Sequence, residues 1–230
     1  MLTGFIVPHP PLIIPEIGKG QQAGIQKTID SFTAIARRIA EIRPQTIIII
    51  SPHSVAYTDY IHISPGANAN GKLSQFGAQT VYKADYDEPL VGEITKLCDK
   101  HGFPAGTLGE RDSSLDHGTI IPLHFINEIF ADYKLVRCSV SGLSHDDHYI
   151  FGTILRAAIK NTGRNAVIIA SGDMSHKLTA DGPYGFAPEG PALDEWLVEI
   201  MQSGNLSDFL EIDDELAEKD QLSNVNSVFK

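Results

Sequence analysis

Four histidines each follow a short apolar run and sit in segments rich in Pro, Gly, Ser or Asp: His9, His53, His117 and His176. An open α/β sheet gathers its ligands in the crevice at the carboxyl ends of its strands. Side chains far apart in sequence can therefore meet in one pocket there. His9 lies in Pro8-His9-Pro10-Pro11 and His53 in Ser51-Pro52-His53-Ser54, so the chain repeats one arrangement of strand, proline and histidine. Prolines fix the backbone and hold the imidazole at the strand end, which suits a metal ligand. Taken singly, either residue is equally well explained as a turn histidine bonded to a neighbouring carbonyl.

The other two histidines have different neighbours. His117 stands between Asp116 and Gly118, an imidazole beside a carboxylate where glycine allows close approach of backbone, and this suits an acid/base group or a solvated loop residue. His176 closes Ser171-Gly172-Asp173-Met174-Ser175-His176, whose hydroxyl and carboxylate groups could orient a general base. A Ser-His-Asp hydrolase is the rival there, but the Gly-x-Ser-x-Gly turn that exposes a nucleophilic serine is missing. His62 in an alternating strand, His101 in a last helical turn and His124 in an apolar helical run read as structural. So do His145 and His148, three apart at a helix start. The acids Glu211, Asp213, Asp214, Glu215, Glu218 and Asp220 read as a solvated face unless an anionic ligand is needed.

The elements that must position these residues are legible in outline. Leu2 to Val7 is short and apolar and reads as a buried first strand. Ile25, Ile29, Phe32, Ile35, Ala36 and Ile39 recur at helical spacing up to Pro44. Thr46 to Ile50 is β-branched throughout, as a central parallel strand buried on both faces requires. Tyr60 to Ser64 reads as a short alternating strand, followed by a Gly/Asn-rich loop to Phe76-Gly77 as an excursion beside the pocket. Pro89 to Lys100 reads as a helix, Thr119 to Phe130 as an apolar segment and Leu135 to Val140 as a strand. Ser144-His145-Asp146-Asp147 is a capping box for a helix to Lys160, Asn165 to Ala170 is a last strand, and helices follow at 192–202 and 206–211. These alternations predict a single α/β domain with a mostly parallel central sheet flanked by helices.

Composition bounds the partners. The 230 residues can bury one substantial core, and a net charge of -11 disfavours nucleic acid and anionic membrane, both of which attract positive fields. A small-molecule substrate fits better. Cys98 and Cys138 show no metal-binding spacing and read as buried free thiols, which with the absence of a signal-like start or a membrane-length apolar run makes a cytoplasmic protein the expectation. A homodimer is the default assembly.

In order and spacing, Pro8-His9-Pro10-Pro11-Leu12, Ser51-Pro52-His53, Phe76-Gly77, Leu115-Asp116-His117-Gly118-Thr119, Ser141-Gly142-Leu143-Ser144 and Ser171 to His176 resemble the class III extradiol ring-cleavage dioxygenases. This is the family of the protocatechuate 4,5-dioxygenase β chain, here nearest the AmmeMemoRadiSam group with its Memo-like proteins. The resemblance implies a catechol-type substrate, O2, and non-haem Fe(II), with Zn or another divalent metal as alternatives. His9 and His53 would be ligands, and His117 and His176 catalytic. A two-histidine, one-carboxylate set leaves open positions on the metal for both reactants. The family's glutamate follows Glu-Leu-Ala-Glu, but here Glu215-Leu216-Ala217-Glu218 runs into Lys219-Asp220-Gln221-Leu222, and a gapless alignment puts Leu222 at the carboxylate's place. Either Glu218 or Asp220 substitutes for it, or the site is incomplete. The carboxyl end is expected to be shorter than in relatives. The alternative function is a Memo-like metal- or partner-binding protein without dioxygenase activity.

Overall fold

The computed structural model describes residues 2–212, so Glu218 and Asp220 lie outside the described residues. In chain order the elements are β1 (Thr3–Val7), a one-turn helix α1 (Pro15–Gly18), α2 (Gln26–Ile42), β2 (Thr46–Ser51), β3 (Ile61–His62), β4 (Asn68–Lys72), β5 (Val81–Asp85) and α3 (Glu88–His101). There follow β6 (Ala105–Gly106), α4 (His117–Asn127), β7 (Lys134–Ser139), α5 (His145–Thr162), β8 (Ala166–Ser171) and α6 (Glu189–Ser203). The central sheet has the order β1-β8-β2-β7 and every pairing in it is parallel. All four carboxyl ends therefore lie along one edge.

Strand alternation divides the core between two faces. Ile47, Ile49, Leu135, Val167 and Ile169 pack on one side with Phe32, Ala36 and Ile39 of α2 and with Ile120, Leu123 and Ile126 of α4. Ile48, Val136 and Cys138 pack on the other with Leu90, Ile94 and Leu97 of α3 and Phe151, Ile154 and Leu155 of α5. Both cysteines are free and buried, and burial pushes their thiols up to about 11 for Cys98 and about 12 for Cys138, so neither is a thiolate at neutral pH. The Ser144 capping box forms in full: its hydroxyl accepts from the Asp147 amide while the Asp147 carboxylate accepts from the Ser144 amide.

The expected loop after Ser64 is instead structured. Asn68–Lys72 and Val81–Asp85 pair as an antiparallel hairpin, although Asn and Gly disfavour strands. Tertiary stitching replaces propensity here, because the Leu115 amide donates to Asn70 O and a Cβ at Gly71 would come within 2.3 Å of Leu115 O. The hairpin is thereby fixed against the segment that leads into His117.

A second departure is Arg137, a fully buried cation in the middle of β7. Its Nε donates to Ser64 Oγ at 2.7 Å, its NH1 donates to Ser114 O and its NH2 to Asp112 O, while Glu110 and Asp116 carboxylates lie 3.8 and 3.7 Å from its nitrogens. The whole approach to His117 is thus wrapped around one guanidinium. Removing a buried charge partner strands the groups that faced it, so Arg137→Leu should lower unfolding free energy by at least about 3 kcal/mol in a denaturant titration. A loss below about 1 kcal/mol would show that the segment holds itself.

Candidate metal centre and active site

Val7 pairs with Ser171 and Ser51 with Ser139, so three of the four strands end in a buried serine at the same edge of the sheet. Each histidine follows from there. His9 comes two residues after β1, His53 two residues after β2, and His117 opens α4, whose N-cap Asp116 accepts from the Thr119 amide and hydroxyl. The fold brings the ligand atoms of His9, His53 and His117 within 4.8 Å of one another. His9 Nε2 and His53 Nε2 are 3.0 Å apart, and the His117 ring lies tilted against the His53 ring at a centroid distance of 3.8 Å.

The tautomer of His9 follows from donor counting. Ser171 has one hydroxyl proton and gives it to Gly118 O at 2.6 Å, because a carbonyl can only accept. Ser171 Oγ must then accept from His9 Nδ1–H, at 3.0 Å. The Nε2 of His9 is left with its lone pair, aimed at His53. Two nitrogens each about 2.1 Å from one ion and at right angles to each other are about 3.0 Å apart, so this pair fits a shared metal without rearrangement. Without an ion, His53 Nε2–H donates across the same gap.

Burial explains why these rings suit a metal. Desolvation pulls His9 and His117 below the usual histidine range, and His53 falls to about 4 through burial with help from His117 and His9. Neutral imidazoles are the ligating form. The Asp173 carboxylate accepts from the His9 amide at 2.8 Å, and its other oxygen lies 3.6 Å from His9 Nε2 and 3.8 Å from His176 Nε2. Burial pulls its carboxyl up, but the hydrogen bond to His176 and the nearby His9 outweigh this and hold it below the ordinary value. The His176 ring rests beside Tyr184, with centroids 4.9 Å apart.

A cavity of about 660 Å³ opens beside the cluster, lined among others by His53, His117, Ser54, Asn70, Lys72 and Asp112. His117 and His53 face it, whereas His9 is only 2% exposed, and neither His9 nor His176 belongs to its lining. Sequence reasoning set all four histidines at one pocket. The fold brings His9, His53 and His117 together, and His176 meets them through the Asp173 oxygen that also faces His9 Nε2. As a nucleophile Ser171 fails on the proton count, since it is fully buried and its hydroxyl is committed to Gly118 O. His62 is structural, bonded to Leu108 O and Glu110; His124 meets Tyr82, and His148 bonds Ser144 O in the cap of α5.

Residues 3–227 match the family described as the catalytic LigB subunit of aromatic ring-opening dioxygenase. The chain belongs to this family. Among its relatives, Protein CA_C1420 of Clostridium acetobutylicum is 37% identical over 221 residues, covering 92% of this chain and 47% of that protein. The chain thus spans about half the length of that relative. The 2-aminophenol 1,6-dioxygenase beta subunit of a Pseudomonas species and the 3,4-dihydroxyphenylacetate 2,3-dioxygenase of Escherichia coli are each 24% identical, over 92% and 90% of this chain and 77% and 79% of their own lengths. The crystal structure of uncharacterized protein JW3007 from Escherichia coli K12 superposes with a TM-score of 0.54 at 21% identity, over 79% of this chain and 72% of that one, and so shares the fold. Among the described residues, no helix is long and apolar enough to cross a membrane.

Two measurements test this geometry. Unfolded histidine titrates near 6.5 and folded His53 near 4, so between those values the unfolded chain binds a proton that the folded one refuses. The stability from this neutral ring is complete above pH 6.5 and lost as pH falls toward 4, and His9 and His117 act in the same direction. The melting temperature of metal-free protein should therefore drop across that window, with a shallower drop in His53→Ala; equal slopes would mean that His53 ionises inside the fold. Ser171→Ala removes the acceptor that fixes the His9 tautomer, and should weaken divalent-metal affinity about 10- to 100-fold by calorimetry. Unchanged affinity would show that the ring is set by packing alone.

Proposed function

We propose that this LigB-family protein is a non-haem, metal-dependent extradiol dioxygenase-type enzyme that takes ferrous iron and opens an aromatic diol with O2. The observation that carries the reading is the lone pair of His9 Nε2, fixed by Ser171 and aimed at His53 Nε2 3.0 Å away. His9 and His53 would hold the ion, with Glu218 a further proposed ligand lying outside the described residues. A bound ferrous ion would supply a redox-active Lewis acid to which diol and O2 can both be held.

The chain's own residues supply the rest. His117 stands on the cavity wall against His53, neutral at neutral pH, where its ring can accept a proton from a diol hydroxyl. Phe76 presents its ring near His117, with centroids 5.3 Å apart, and narrows the approach to it with an apolar wall. His176, faced by the same Asp173 oxygen as His9 Nε2, can hold and return a proton. Asp173 thereby links His176 to His9, whose amide donates to its other oxygen.

Metal analysis of anaerobically prepared protein followed by turnover of a catechol panel tests the reading. His9→Ala and His53→Ala should lose the metal. His117→Ala and His176→Ala should keep it, and His176→Ala should lose about 10² to 10⁴ in turnover. Metal loss in His176→Ala would make that residue a ligand. Metal binding by wild type with no catechol turned over would overturn the dioxygenase assignment.

A further inference from the structure

Each residue from Gly172 to Ser175, on the way from β8 to His176, is tied to another part of the fold. Gly172 donates its amide to Val7 O at 2.9 Å and Asp173 accepts from the His9 amide, so the first two follow β1. Met174 and Ser175 are held by α6 instead. Met174 is partly buried against the core that Leu193, Leu197 and Ile200 of α6 form, and Ser175, itself 8% exposed, donates its amide to the Asp194 carboxylate at 2.8 Å. The Ser175 hydroxyl accepts from the Lys177 amide at 3.1 Å, which closes a turn around His176.

Among the described residues, α6 buries its apolar face with Phe209 and Ile212 in a small core separate from the two beside the sheet. Trp196 and Met201, the other side chains packed against that core, belong to α6 itself, so Met174 is its apolar link to the sheet edge. Asp194 adds a polar link one residue along. A flexible methionine fixes a distance poorly, whereas a hydrogen bond from a backbone amide to a carboxylate fixes distance and direction together. The placement of His176 Nε2, 3.8 Å from the Asp173 oxygen that also faces His9, therefore depends on where α6 holds the Ser175 amide.

We propose that Asp194 is a positioning residue for His176: by taking the Ser175 amide it sets the distance of the imidazole from Asp173, and so from the histidine cluster. The inference rests on the reading of His176 as the group that holds and returns a proton. Asp194 touches neither metal nor substrate in this role and acts only through the backbone before His176. What it supplies is an acceptor oxygen at that point rather than a negative charge, so the oxygen of an asparagine serves as well.

The test compares Asp194→Ala and Asp194→Asn, each alone and combined with His176→Ala, in iron-loaded protein. Alanine is a better helix former than aspartate and asparagine matches it, so α6 is retained in both, which melting temperatures check. Asp194→Ala should lower kcat on a catechol about 10- to 100-fold, as a displacement of about 1 Å does, with KM and metal content unchanged. Asp194→Asn should stay within about threefold of wild type. On top of His176→Ala, the Asp194→Ala change should cost less than about twofold, because the residue it acts through is already gone. A full loss in that double variant, or no rescue by asparagine, would overturn the assignment, making Asp194 a general support or a needed charge. The imidazole nitrogen signals of His176 in metal-free protein read the same contact by NMR without turnover: they should shift in Asp194→Ala and not in Asp194→Asn. Unshifted signals in Asp194→Ala would overturn the positioning role whatever the activity. Shifted signals in a protein that turns over no catechol would support it and remove the diol reading.

Discussion

A neutral imidazole carries one proton and one lone pair, and at His9 the surroundings decide which nitrogen has which. Burial keeps the ring uncharged. The single proton of Ser171 is spent on a backbone carbonyl, so the serine can only accept from Nδ1. Other features of the site serve this arrangement. The pairing of Val7 with Ser171 puts ring and hydroxyl in register, and Gly118 supplies the carbonyl from the first turn of the helix that His117 begins. A Cβ on Gly118 would come within 2.4 Å of Ser51 Oγ, so the glycine is required by close approach.

Ser51 repeats the device on the neighbouring strand with the polarity changed. Its hydroxyl donates to the Asp116 carboxylate at 2.5 Å and accepts from the His53 amide at 3.2 Å. Asp116 is at the same time the cap of α4 and a neighbour of Arg137, so a cation buried in β7 reaches the His53 amide through three links, by way of Asp116 and Ser51. The sheet edge, the helix start and the hairpin beyond it are thereby held as one polar assembly. Such precision at ring nitrogens is what a metal site needs from its supporting groups.

How much of this was written in the sequence can be argued residue by residue. Local features were legible: the β-branched run at Thr46 to Ile50, the Ser144 cap, and the Pro-His ends that mark His9 and His53 all express near-neighbour rules. What escaped was long-range. The link from His9 to Ser171 spans 162 positions, and no periodicity announces that a serine will set a tautomer that far away. Arg137 hid in an apolar strand because its partners come from loops, and the hairpin at Asn68–Lys72 hid because packing against Leu115, rather than β propensity, forms it. The grouping of His117 with His53 depends on where α4 begins relative to β2, which only the packed sheet fixes. Glu218 lies outside the described residues and remains a proposed ligand.

The hydrogen-bond chain behind His9 ends at Gly118 O, a carbonyl with no proton of its own to pass on. It is a blind alley for protons. A proton reaching His9 cannot pass backward through the sheet edge, and must leave by the groups in front of it. The interior therefore acts as an insulator behind the histidines, and proton traffic is confined to the side facing the solvent, where His117, His176 and the cavity lie.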